Sequence, residues 1–311
     1  MPARSLVIDT DTASDDAVGL LIAARTPGVT IRAVTTVAGN VPLPLATRNA
    51  LVTLEFAGAG EVPVYEGRPA PLLRPLETAQ FVHGENGMGG VEFADPIRSP
   101  EAMHAVDALR AIATDEPGRH ILVTLGPLSN IATALLIDPL FLTRFEHVYL
   151  MAGAFDGVGN IHPVGEYNVW TDPEAARIVM DAPGDKTYIG WDMSRRFAVV
   201  TPREQAALRE CGRFGSFVVD INASVDEFCR LESGLAGFDL PDPLAMAVAI
   251  DPTVVTGDDR CHVTVGVDET SRGGTFVDHR LMDSPAPNAI VVRVVDDAKF
   301  HAILLAACRE G

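Results

Sequence analysis

The chain has 311 residues, 47% of them hydrophobic, and a formal net charge of −18. That is enough apolar matter for a packed α/β core. The acidic balance, with lysine only at Lys186 and Lys299 and no run of basic residues, argues against nucleic acid or an acidic membrane surface as partner. The cysteines, Cys211, Cys229, Cys261 and Cys308, stand far apart with no CxxC spacing. This speaks against zinc and for reduced thiols. The sequence shows neither a leader peptide nor a long apolar span, so a cytoplasmic protein without a membrane helix is expected.

In chain order, Leu6–Ile8 is a short apolar run that ends in polar residues, as buried parallel strands do. The stretch 15–25 has helical spacing and stops at Pro27-Gly28. A β-branched strand over 30–37 ends at Gly39-Asn40, and a helix over 45–57 leads to a strand at 62–65. Residues 69–102, rich in glycine and proline, read as a long loop. The alternation resumes with a strand at 121–125, a helix from Ser129, strands at 148–151 and 187–189 and a helix at 173–180 between them. The stretch 202–249 is mostly helical. Three strand-like runs follow between Cys261 and Val295, then a closing helix at 297–307. The order predicts a single α/β domain over 1–311, Rossmann-like, with a largely parallel central sheet and helices on both faces. Ligands on such sheets bind outside the carboxyl ends of the strands.

Polar residues collect at those ends. "LVIDTDTASDDA" places Asp9, Asp11, Asp15 and Asp16 directly after the first strand, where like charges raise one another's pKa. Asn40 follows the second strand, "LGPLSN" (Leu125–Asn130) a later one, and "GNIHPVGEYN" (Gly159–Asn168) the strand ending at Met151, while Asp242 lies in "LPDPLA". One sheet edge can gather Asp11, Asp15, Asp16 and Asp242 around a cation, and all-oxygen ligands favour Ca²⁺ or Mg²⁺. Either Asp15 or Asp16 alone reads equally as a helix cap. Four aspartates in so short a span exceed what capping needs. An EF-hand is excluded, since the twelfth position from Asp9 is Leu20.

The cluster "DTDTASDDA" resembles the amino-terminal signature of the inosine-uridine preferring nucleoside hydrolases, Ca²⁺-dependent N-ribohydrolases. "AVTTVAGNV" (Ala33–Val41), "HGENGMGG" (His83–Gly90), "TLGPLSNIA" (Thr124–Ala132), the block from Met151 to Ala176, "WDMSRR" (Trp191–Arg196) and "TSRGGTFVD" (Thr270–Asp278) are similar to family segments in the same order. The resemblance spans roughly Leu6 to Asp278. It implies hydrolysis of the N-glycosidic bond of a small-molecule nucleoside to free base and ribose, and a homodimer or homotetramer. It implies Asp11 as general base and metal ligand, with Asp16, Asp242 and the Leu125 carbonyl as further ligands of Ca²⁺. It places Asp15 and Asn40 on the 2′- and 3′-hydroxyls, Asn160, Glu166 and Asn168 on the 5′ side and ring, Met151 beneath the sugar, and Asp9 behind the ligands. On spacing alone, Glu166 and Asn168 serve equally to order the loop into a helix capped by Asp172.

One departure stands out. Where the family usually has His-Asp-Pro, this chain has Pro241-Asp242-Pro243. The histidine that assists the leaving base is gone. His83 is the first candidate to contact the base, His162 a weaker one, and Phe228 and Arg230 lie on the helical stretch that covers the pocket. Two other readings are carried forward. One is a nucleoside-binding protein with impaired catalysis, motivated by Pro241. The other is a haloacid dehalogenase-type phosphatase, whose strand-D-x-D start fits "VIDTDTA" and whose further groups would be Lys186 and Asp258-Asp259.

Overall fold

The computed structural model describes residues 4–280 and 282–310. The first half alternates strand and helix: β1 (Arg4–Thr10), α1 (Ser14–Arg25), β2 (Val29–Thr36), α2 (Leu43–Phe56), β3 (Val64–Glu66), α3 (Gln80–His83), α4 (Ala105–Asp115), β4 (Ile121–Thr124), α5 (Ser129–Ile137) and β5 (His147–Met151). Next come α6 (Tyr167–Thr171), α7 (Pro173–Asp181), β6 (Lys186–Ile189), α8 (Trp191–Phe197), β7 (Val199–Val200), α9 (Pro202–Arg209), α10 (Arg213–Ile221) and α11 (Ala223–Phe228). A π-turn at Cys229–Ser233 then leads to β8 (Phe238–Asp239) and α12 (Pro241–Ile250). Strands β9 (Val255–Cys261), β10 (Val263–Val265), β11 (Thr275–Val277) and β12 (Ala289–Val295) and helix α13 (Asp297–Cys308) close the chain.

Eight strands form the main sheet in the order β3-β2-β1-β4-β5-β6-β12-β9. All pairings are parallel except that of β9 with β12. The strand order reverses between β1 and β4, and at such a switch point the loops leave to opposite sides and open a crevice. Alternation along β1 explains the layers. Leu6 and Ile8 pack into the cluster that holds α1, α2, α10, α12 and α13, whereas Val7 faces Leu109, Ile131 and Val179 of α4, α5 and α7. Helices α1 and α12 are almost wholly buried. Past the aspartates of their first turns, and up to Arg25 in α1, their sequences are apolar on every side, as a helix sandwiched between a sheet and other helices requires.

The predicted elements are present with small changes at their ends. Several elements lie outside the sequence reading, including the short α6, α8, β7 and β8, and two of the longer ones are instructive. Strand β9 carries Gly257, Asp258, Asp259 and Arg260 and is largely exposed, so it lacks an apolar run. Helix α4 follows the long loop and has no clear start signal beyond His104, whose ring accepts from Val106 N–H. The loop itself is as expected, apart from α3.

Candidate active site

The polypeptide leaving β1 turns into α1 and carries the aspartates into the crevice. Asp11 is fully buried. Its Oδ2 accepts the Asn40 N–H at 2.6 Å, and its Oδ1 has no partner. Gly39 and Gly126, at the ends of the β2 and β4 loops, close on this carboxylate from both sides. A Cβ on Gly126 would sit 2.6 Å from Oδ1, so both positions need a missing side chain. Asp16 accepts from Ala13 N–H at 2.9 Å and from the Thr10 hydroxyl, which is the capping role. Asp15, beside it, has an orphaned Oδ1. Asp242 stands in the first turn of α12, and carboxylate oxygens of Asp15, Asp16 and Asp242 lie within 4.8 Å of one another.

Burial, and then the Asp15 charge, push Asp16 up to about 7. Burial and the neighbouring Asp16 hold Asp11 and Asp242 well above the ordinary carboxylate range. Among the described residues no lysine or arginine pairs with any of these groups. Buried carboxylates in this state either keep protons or share a cation. The orphaned oxygens of Asp11 and Asp15 and the convergence of three carboxylates fit a hard divalent ion. Asp9 points the other way, accepting from Thr35 and, at 2.8 Å, from Asn130, and so ties β1 to β2 and α5.

The loop after β5 builds the adjacent wall. Asn168 donates through Nδ2 to the Leu125 carbonyl at 2.7 Å and lies 3.2 Å from the Met151 carbonyl and sulfur. Glu166 caps α6, accepting from the N–H groups of Asn168 and Gly153 at 2.8 Å and Val169 at 3.2 Å. Burial raises its pKa to about 7. Asn160 Oδ1 accepts the Tyr167 N–H at 2.9 Å. Loop ordering and a place on the pocket wall therefore coexist in Glu166, Asn168 and Asn160. Asp172 caps α7 through Ala175 N–H.

Asn160, Glu166 and Asn168 line one open cleft, which also contains Asp15, Asn40, His83, Leu125, Met151 and Asp242, whereas Asp11 and Asp16 are buried behind it and do not line it. His83, at the end of α3, is buried, with Nδ1 2.9 Å from Ser14 Oγ and 3.7 Å from Asp15 Oδ1. Burial lowers its pKa and favours the neutral ring. Phe228 lines the far end, edge-on to Phe81 at 5.9 Å. Pro241 is there as well, whereas His162 and Arg230 do not line the cleft, and Arg230 pairs with Asp226 at the surface. Sequence reasoning missed Val82, Tyr167, Trp191, Cys229 and Asp239, which also line it. Of these, Trp191 stood inside "WDMSRR" and Tyr167 inside "GNIHPVGEYN", segments already singled out.

The phosphatase reading finds no support. Lys186 is buried at the amino end of β6, at the opposite edge of the sheet, where its Nζ donates to the carbonyls of Val179 and Met180. Asp258 and Asp259 lie on the edge strand β9.

A switch-point crevice on a Rossmann-like sheet, with a polar wall beside converging carboxylates that could hold a metal ion, defines an α/β protein with a cleft suited to a small polar molecule. Sequence and structure comparisons place it more closely. The profile described as "Inosine-uridine preferring nucleoside hydrolase" matches residues 6–302, and the chain belongs to that family. It is 34% identical over 308 residues to the inosine-uridine preferring nucleoside hydrolase of Leishmania major, covering 98% of this chain and 97% of that one. It is 34% identical over 282 residues to uridine nucleosidase 1 of Arabidopsis thaliana, covering 90% and 82%. A solved plant nucleoside hydrolase superposes with a TM-score of 0.91 at 31% identity over 100% of both chains.

Proposed function

We propose that this protein hydrolyses the N-glycosyl bond of ribonucleosides, releasing free base and ribose. The observation that carries the reading is the buried meeting of Asp15, Asp16 and Asp242, with Asp11 next to them, against the wall formed by Glu166 and Asn168. Asp11, Asp16, Asp242 and the Leu125 carbonyl are the residues that would hold Ca²⁺. When bound, that ion supplies the positive charge that keeps the carboxylates ionised and makes a water easier to deprotonate. Asp11 then serves as general base. Its single donor, the Asn40 N–H, leaves Oδ1 open to take a proton. Asp15 and Asn40 hold the 2′- and 3′-hydroxyls. Asn160, Glu166 and Asn168 orient the 5′ side and the ring over Met151. A ribosyl group losing its base becomes oxocarbenium-like, and the surrounding buried carboxylates stabilise that charge. His83, neutral and beside Asp15, contacts the substrate near the scissile bond.

We read residues 1–311 as one working domain in a cytoplasmic homodimer or homotetramer. Four free cysteines support the cytoplasmic reading, and no helix among the described residues is long and apolar enough to cross a membrane. The decisive experiment measures free-base release from inosine, adenosine, uridine and cytidine, with Ca²⁺ and with a chelator. Release that stops with chelator and returns with Ca²⁺ is expected. Tight nucleoside binding with no release over hours overturns the hydrolase reading in favour of a binding protein.

A further inference from the structure

The departing base carries away the electron pair of the broken C1′–N bond and leaves more easily when it is protonated. Pro241, at the edge of the cleft, has no proton to give. Resting on the hydrolase reading, we propose that Asp239 is the proton donor to the departing base.

Asp239 ends β8, is 5% exposed, and lines the cleft together with Cys229, Trp191 and Pro241. Ser194 Oγ of α8 lies 2.7 Å from Asp239 Oδ2 and 3.0 Å from the Trp191 carbonyl. A serine hydroxyl has one hydrogen, and a carboxylate and a carbonyl both only accept. With a proton on Oδ2, the chain Asp239 O–H to Ser194 Oγ–H to Trp191 C=O satisfies both contacts. Without it, one contact lacks a hydrogen. The Cys229 thiol, 3.5 Å from Oδ1, is a donor on the other side. The groups facing Asp239 are thus Ser194 from α8, Cys229 from the π-turn and, as a charge, Asp15 from α1. Among the described residues no lysine or arginine forms a salt bridge with it. Burial first, then the Asp15 charge, oppose its ionisation.

Of the other proton-bearing groups on the cleft wall, His83 has Nδ1 on the Ser14 hydroxyl and is kept neutral by burial, which makes it a poor acid, and the rest are committed. The Tyr167 hydroxyl donates to the Glu77 carbonyl at 2.8 Å. Glu166 has both carboxyl oxygens engaged by backbone N–H donors, so neither is free to present a proton to the base. Burial pushes the Cys229 thiol up and makes it a poor acid.

The step balances. The C1′–N bond breaks with its electron pair moving to the base nitrogen, and the proton of Asp239 Oδ2 forms the new N–H. Water oxygen bonds to C1′ and gives its proton to Asp11. The Ser194 hydroxyl turns from the Trp191 carbonyl to the new Asp239 carboxylate, which keeps the Cys229 donor as well. Solvent returns a proton to Asp239 and accepts one from Asp11 once products leave.

The test compares inosine and uridine with 4-nitrophenyl riboside, whose phenolate leaves without a proton, in wild type and Asp239→Asn. The amide keeps one donor and one acceptor in the same shape. Loss of about 10²-fold or more in kcat on the nucleosides, with a loss at least about tenfold smaller on the aryl riboside, is expected. Equal losses on both, or none, overturn the proposal. A second measurement needs only wild-type protein. The ratio of kcat/KM for inosine to that for the aryl riboside falls at high pH if Asp239 must be protonated, and a flat ratio overturns the assignment. Should wild type cleave neither compound, the hydrolase reading fails and this one with it. Cleavage of both without selectivity in the variant sinks this one alone.

Discussion

The two ends of the cleft are built differently. The sugar end rests on strand termini and the first turns of two buried helices. Asp11, Asp16, Asp242, Glu166 and Asn168 are all buried there, and Asp11, Asp16, Glu166 and Asn168 are each tied to backbone groups. The base end is made of short pieces, α3, α11, the π-turn and β8, with Phe81 mostly exposed and packed edge-on against Phe228. On the proposed reading, a rigid frame would hold the part of the substrate that every ribonucleoside shares, and the part that varies between nucleosides would meet less constrained elements.

The contrast can be broken most forcefully at its rigid end. Asp11→Ala is expected to lower kcat/KM at least about 10³-fold while the protein stays folded by circular dichroism. Near-normal turnover would remove the general base from the sugar end. A milder probe sits at the base end. Pro241→His places an imidazole at the first position of α12, where proline is not required for the helix. The ratio of kcat/KM between inosine and uridine should change by about tenfold, a size typical of single pocket contacts. An unchanged ratio would mean that Pro241 takes no part in choosing the base. The smallest expected effect concerns stability. Asp9, Asp16 and Glu166 sit near 7 in the folded protein because burial opposes their charge. Unfolded carboxyls titrate near 4. Between these values the folded state holds protons that the unfolded state has released, so stability falls as pH rises through that window and levels off above it. In chelator, the Tm measured from pH 5 to 8 should drop and then flatten, and saturating Ca²⁺ should weaken the slope. A Tm that climbs with pH in chelator would contradict the desolvated sugar end.

The same contrast governs what could be read beforehand. Asp11, Asp15, Asp16, Asn40 and Asp242 stood out because unusual polar residues follow apolar strands at positions where the topology must gather them, whereas Asn168, like Glu166, read equally as a residue that orders its loop. Glu166 was ambiguous in sequence, and its three N–H donors explain why: one carboxylate orders the loop and faces the cleft. At the base end, Val82 and Tyr167 are ordinary core residue types, and Asp239 is a lone aspartate whose meaning depends on Ser194 and Cys229, 45 and 10 residues away. Only folding reveals such a partnership. Strand β9 escaped for a related reason, since a half-exposed edge strand needs no apolar run.

That edge strand has a further consequence. Its outward side offers free backbone donors and acceptors, yet Asp258, Asp259 and Arg260 populate it with charge. Charges of this kind discourage a foreign strand from zipping on. At that edge the eight-stranded sheet is guarded against growing into a ribbon shared between neighbouring copies, which leaves side-chain surfaces as the favoured place there for any contact.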